Sequence, residues 1–152
     1  MIRSLVAARK YDDRGFVAGA EMLLFGVFAF VMGSLLIVNV WNVIDSSLAV
    51  SAASREGVRT FQEATPDTAW SASQVRVMEV LEDYNRSDRA LTPQIDAASF
   101  ERCGLVTVTA EYQVALVRIP LFGQFGTMTK VSSTHSGLID GYRSGDFGGS
   151  CS

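Results

Sequence analysis

The stretch MLLFGVFAFVMGSLLIVNVWNVI, residues 22–44, decides how the rest of the chain is read. It contains no charged residue and is mostly large apolar side chains. Roughly 20 such residues in a helix span the hydrocarbon core of a bilayer. Glu21 stands directly at its edge, inside the same expected helix. The apolar core of a secretory signal is about 7–15 residues long and ends at a small-residue site. This run is longer, and the sequence after it continues with helical character as IVNVWNVIDSSLAVSAASREGV. The segment is therefore read as retained, with a cleaved signal as the alternative.

Outward from the run, the flanks set an expected orientation. Arg3, Arg9, Lys10 and Arg14 precede it, and the first positive charge after it is Arg55. An excess of Lys and Arg marks the cytoplasmic side, while acidic residues such as Asp12 and Asp13 contribute little. The N-terminus is thus expected inside and the bulk of the chain outside. Four regions follow: a cytoplasmic tail over 1–15, a membrane helix over 16–44, its extracytoplasmic continuation over 45–65, and a small domain over 66–152. Hydrophobic residues make up 48% of the whole, yet the remainder outside the run is polar and mildly acidic. It has room for one small domain and not two. A formal net charge of −3, with no basic tract after the run, argues against a nucleic-acid partner.

The continuation repeats Val50, Ala53, Gly57, Phe61 and Ala64 at three- and four-residue steps, which is helical periodicity. Thr65–Pro66 is the expected stop, and Asp12 or Asp13 the expected cap at the other end. A second helix is expected in SASQVRVMEVLEDYNRS, capped by Ser71 or Ser73, with Val77, Leu81 and Tyr84 on one face and Met78 and Val80 beside them. RALTPQIDAASFERCG reads as a connecting loop. LVTVTAEYQVAL is the clearest strand: Val106, Val108, Ala110, Tyr112, Val114 and Leu116 alternate with polar residues, the pattern of an antiparallel sheet covered on one side. RIPLFGQFG reads as a turn region and TMTKVSSTHSGLID as a partner strand. The expected fold class is α+β: a long N-terminal helix, its inner half transmembrane, packed on a small antiparallel sheet with one further helix.

Cys103 and Cys151 both fall on the expected outer side, where a bridge can form. A Cys103–Cys151 disulfide would tether the glycine-rich tail, worth about 4 kcal/mol in the chain-entropy model. Two free thiols or an intermolecular bond are the alternatives.

Within the apolar run the small residues are ordered. Gly15, Gly19, Met22, Gly26, Ala29, Gly33, Leu36 and Val40 follow alternating four- and three-residue steps. Small residues allow close backbone approach between helices in lipid, where packing drives association. The seam points to a helix that packs on other helices rather than a solitary anchor. Trp41 suits the aromatic belt at the interface, with Asn39 and Asn42 beside it. Glu21 lies well off the centre of the seam. It can reach back toward the cytoplasmic interface near Arg14, or meet a positive group on another chain.

The residues DDRGFVAGAEMLLFGVFAFVMGSLLIVNVWNVIDSSLAVSAASREGVRTF, with Arg14–Gly15 before the run, Glu21 in its first turns and AASREGVR at 52–59, resemble the TadE-like family of tight-adherence (Flp) pilus assembly proteins. A later strand, a proline turn and Tyr142–Arg143 look similar too. The resemblance implies a type IV pilin-like fold and a non-enzymatic minor-pilin or pseudopilin role. It also implies a prepilin peptidase cutting near Gly15 or Phe16, an assembly carboxylate at Glu21, and partnership with other pilin subunits and the platform proteins of the pilus machine. A cut after Gly15 makes Glu21 the sixth mature residue, and a cut after Phe16 makes it the fifth.

Two other classes are weighed. A single-pass anchor could present a small ligand-binding domain, but the glycine seam and Glu21 then have no purpose. An enzyme would need His135, the sole histidine, near Ser132, Ser133, Ser136 and Asp140. No nucleophile elbow, phosphate loop or metal-ligand cluster accompanies it, so no catalytic residue, metal or cofactor is expected.

Overall fold

The computed structural model describes residues 13–119 and 123–141. Asp12, as the alternative cap, and Cys151 lie outside them, as do Tyr142 and Arg143. The element order is α1 (Asp13–Glu63), α2 (Ala69–Asp83), β1 (Gln94–Ala97), β2 (Leu105–Ile119) and β3 (Gly123–Leu138). The chain divides into two units, one ending at Ile37 and one beginning at Val38. The first is the inner part of α1 and the second holds the outer part of α1 and every other element. The architecture is α+β, as expected.

In the second unit the three strands form one antiparallel sheet in the order β1-β2-β3, with β2 in the centre. The alternation of β2 is what makes it work. Val106, Val108, Ala110, Tyr112 and Val114 are buried on one face, while Thr107, Thr109, Glu111 and Gln113 are half-buried on the other. The polar face is laddered across strands, with Thr107 and Ser136 hydroxyls 2.9 Å apart and Thr109 and Thr134 likewise 2.9 Å apart. Such cross-strand pairs each add about 0.2–1 kcal/mol.

The outer part of α1 covers the apolar face through the predicted seam. Val50, Ala53, Gly57 and Phe61 are buried, joined by Ser46, Ala49, Ser54 and Val58. Gly57 is required by a close approach: a Cβ there would stand 2.6 Å from Val77 Cγ2 and 3.0 Å from Val108 Cγ1. Ser73 Oγ donates to the Gly57 carbonyl at 2.9 Å, fastening α2 to α1 at the same point. Phe61 closes the far end in an edge-to-face pair with Trp70, centroids 4.9 Å apart, and a tilted contact with Phe100. Each such pair contributes about 0.5–1.5 kcal/mol beyond area burial.

Several expectations shift. The segment read as a loop contains β1, which pairs Gln94–Ala97 with the stretch from Val106 to Thr109. The N-cap of α2 is Thr68 rather than Ser71 or Ser73. Ser71 is drawn to the Thr68 carbonyl and Ser73 to Gly57, so neither hydroxyl caps the helix. Tyr84 is 44% exposed, because the helix ends at Asp83 and turns away. The turn region also proves shorter than RIPLFGQFG, since pairing runs to Ile119 opposite Gly123.

Candidate functional site

The inner part of α1 is the most unusual surface on the chain. A window within it has mean hydropathy 2.4, and 0% of that window is buried. A core helix of a soluble domain would be mostly covered, and this one is bare. Met22, Leu24, Phe25, Phe28 and Phe30 are all more than three-fifths exposed. Isolated exposed apolar residues are ordinary, but a contiguous array of this extent marks a partner surface or a membrane. By length and composition the helix can cross a bilayer.

Glycine placement sharpens this. Gly19, Gly26 and Gly33 recur every seven residues, and a Cβ built on any of them meets nothing within 4 Å. Each costs the helix roughly 1 kcal/mol relative to alanine. No neighbour among the described residues requires that cost, in contrast to Gly57. Ala29, also on the seam, is exposed. Gly15 and Phe16 stand in the first turn of α1.

Glu21 is exposed at the mouth of a shallow apolar groove lined by Leu24, Phe25, Val27, Phe28 and Val31. Its position is one helical turn before Leu24 and Phe25, off the glycine seam. A carboxylate among such side chains is costly in lipid unless it meets a cation or reaches water.

A second charged group was not legible as a site. Asp45 is the first charge after the apolar run. Arg86 Nη2 donates to Asp45 Oδ2 at 2.7 Å, with the Arg86 side chain only 15% exposed. Asn85 delivers it: at φ 54 it ends α2 in a left-handed turn, and the Arg86 N–H donates to the Leu81 carbonyl. The guanidinium carbon lies 5.6 Å from the Tyr112 ring centroid, and Tyr112 donates to Asp88 Oδ1 at 2.9 Å. Burial works against the Arg86 charge, but hydrogen bonds to Asp45 and Tyr112 outweigh it and hold its pKa above the ordinary value. Burial, helped by the Asp88 hydrogen bond, raises the Tyr112 hydroxyl. Asp45 and Arg86 are 41 residues apart, so only the fold brings them together.

The other candidates separate. His135 is exposed on β3 opposite Val108. The neighbouring Ser133 hydroxyl accepts from Ser54, and Ser136 bonds with Thr107. Among the described residues no group of three or more His, Cys, Asp or Glu could hold a metal ion. Cys103 sits at φ 61, with its N–H donating to the Ile139 carbonyl at 3.0 Å, and is not a free thiol. Its expected partner Cys151 is outside the described residues.

No family model matches this chain, and no curated protein or solved structure matches it either.

Proposed function

We propose that this chain is a membrane-embedded, non-enzymatic component of a tight-adherence pilus assembly system, a TadE-like minor pilin or pseudopilin. It lies with its N-terminus in the cytoplasm and its α+β domain outside. It assembles through the inner half of α1, against other pilin or pseudopilin subunits. The observation that carries this reading is the inner helix itself: an uncovered apolar surface with Gly19, Gly26 and Gly33 open to empty space. Small residues without a neighbour among the described residues suit close contact with a second helix.

Glu21 fits the same reading. An exposed carboxylate at the edge of the apolar run gives a positive group on an adjoining subunit something to meet, at a depth where water is scarce. A sheet packed on the outer half of the same helix is in keeping with a pilin-like arrangement. A Cys103–Cys151 bridge would tether the tail to the domain on the oxidising side of the membrane.

Two experiments test the reading. N-terminal sequencing of protein extracted from membranes should find a start at Phe16 or Val17; an intact Met1 in cells with active peptidase removes the processing step. Glu21→Ala should abolish or sharply reduce surface pili at unchanged membrane levels of the protein. Normal piliation would remove the assembly role of the carboxylate.

A further inference from the structure

We infer that the end of the β2–β3 hairpin is a second membrane contact, seated among the anionic headgroups of the outer leaflet at the level of the outer end of the apolar run. This rests on the membrane reading just given.

Contacts fix how the sheet runs along the outer helix. Gln62 Nε2 donates to the carbonyl of Leu138, which pairs with Leu105. Eight residues earlier on the helix, Ser54 meets Ser133, which pairs with Ala110. Five steps along β2 therefore match eight steps down α1, about 16 Å against about 12 Å at ordinary rises. Pairing continues nine residues past Ala110, to Ile119 opposite Gly123. At the same rate the hairpin end stands about 14 helix residues before Ser54, near Val40. The register shift between Ala115 and Val117 moves this level by about one residue. Ser46 is fully buried and Val43 packs on the core, so the domain does follow the helix in this direction.

Val40 lies inside the charge-free run that ends at Ile44. The distance from Val40 to Ile44 is about 6 Å along the helix, which matches the roughly 5–10 Å depth of interfacial segments. Trp41, at the same level and 68% exposed, is a belt-type residue.

The composition of the hairpin end fits that depth. From Ile119 to Thr129 there is no charged residue, while Arg118 and Lys130 stand immediately on either side. The paired residues include Ile119, Phe125 and Met128, and Met128 is 53% exposed. An apolar stretch bracketed in sequence by two cations suits a headgroup boundary.

Single-tryptophan probes in the full chain test this. Trp41 and Trp70 are replaced by Phe, and one Trp is placed by Phe28→Trp, Phe125→Trp, Met128→Trp or Thr134→Trp. Each protein is reconstituted in vesicles of phosphatidylcholine and phosphatidylglycerol, with and without brominated acyl chains. Thr134→Trp gives the water-exposed reference. The expected result is a blue shift and loss of emission in brominated lipid for probes at 28, 125 and 128. Quenching at 28 with water-like emission at both 125 and 128 overturns the hairpin contact and leaves the membrane helix intact. Water-like emission at 28 overturns the membrane reading and this contact with it.

Discussion

Two halves of one helix use glycine for opposite reasons. At Gly57 a methyl group would collide with Val77 and Val108, so the residue is dictated by packing inside the chain. At Gly19, Gly26 and Gly33 a methyl group would meet nothing within 4 Å among the described residues. The outer half is shaped by its own sheet and by α2. The inner half carries the same kind of residue with no neighbour among the described residues that requires it, and this is the basis for our proposal that it packs on another helix. The same contrast runs through the large side chains: Phe61 is fully buried, while Phe28 is 63% exposed.

The contrast breaks most visibly if those two phenylalanines behave alike. Phe61→Ala should destabilise the outer domain by about 3–5 kcal/mol, through lost transfer energy and a cavity between Trp70 and Phe100. Phe28→Ala should leave that unfolding transition unmoved in detergent micelles. Equal shifts for both would mean that the inner helix is covered by its own chain. The glycines sharpen the point. Gly57→Ala gains about 1 kcal/mol of helix propensity but inserts an atom against two stiff valines. Overpacking of this kind costs about 1–3 kcal/mol, and the clash distance places the net effect on the destabilising side. Gly26→Ala lacks the clash and should not destabilise the isolated protein.

Arg86→Ala should cost about 1–3 kcal/mol in denaturant unfolding, by removing a charge-assisted hydrogen bond from a mostly buried donor. Its effect belongs wholly to the outer domain. The smallest expected effect is on alkaline stability. The folded-state pKa of Tyr112 is raised above its ordinary value of 10.0. The neutral phenol is favoured in the native state, so this stabilising contribution is complete below about pH 10 and is lost as pH rises through the folded pKa. Tyr112→Phe should flatten the decline in stability above that pH, read from urea midpoints.

How much of this was legible in the sequence follows from where the causes lie. The apolar run, the outer seam from Val50 to Phe61 and the alternation of β2 are each written into consecutive residues, and each could be read directly. β1 could not, because Gln94–Ala97 has no strand pattern of its own and is held extended by β2. Strand preference of this kind is context rather than intrinsic propensity. The cap of α2 falls at Thr68 because the helix begins at Ala69, which puts Ser71 and Ser73 inside it, where they bond to the carbonyls of Thr68 and Gly57 instead. The Asp45–Arg86 pair depends on a left-handed turn at Asn85 and a long loop closure, and no spacing rule connects its members. Of the candidate assembly surface, the seam and Glu21 were visible in sequence. What the structure added is that the three glycines have no neighbour within 4 Å among the described residues.

The most direct test of the central claim is helix association in membranes. The triple variant Gly19→Ile, Gly26→Ile and Gly33→Ile, and the parent chain, would be compared by energy transfer between labelled copies or with a co-expressed pilin subunit. Loss of transfer with an unchanged unfolding midpoint of the outer domain is the predicted result, since bulk on the seam blocks approach without touching the core. Transfer equal to that of the parent chain in both pairings would contradict the account, because the seam would then serve neither the fold nor assembly.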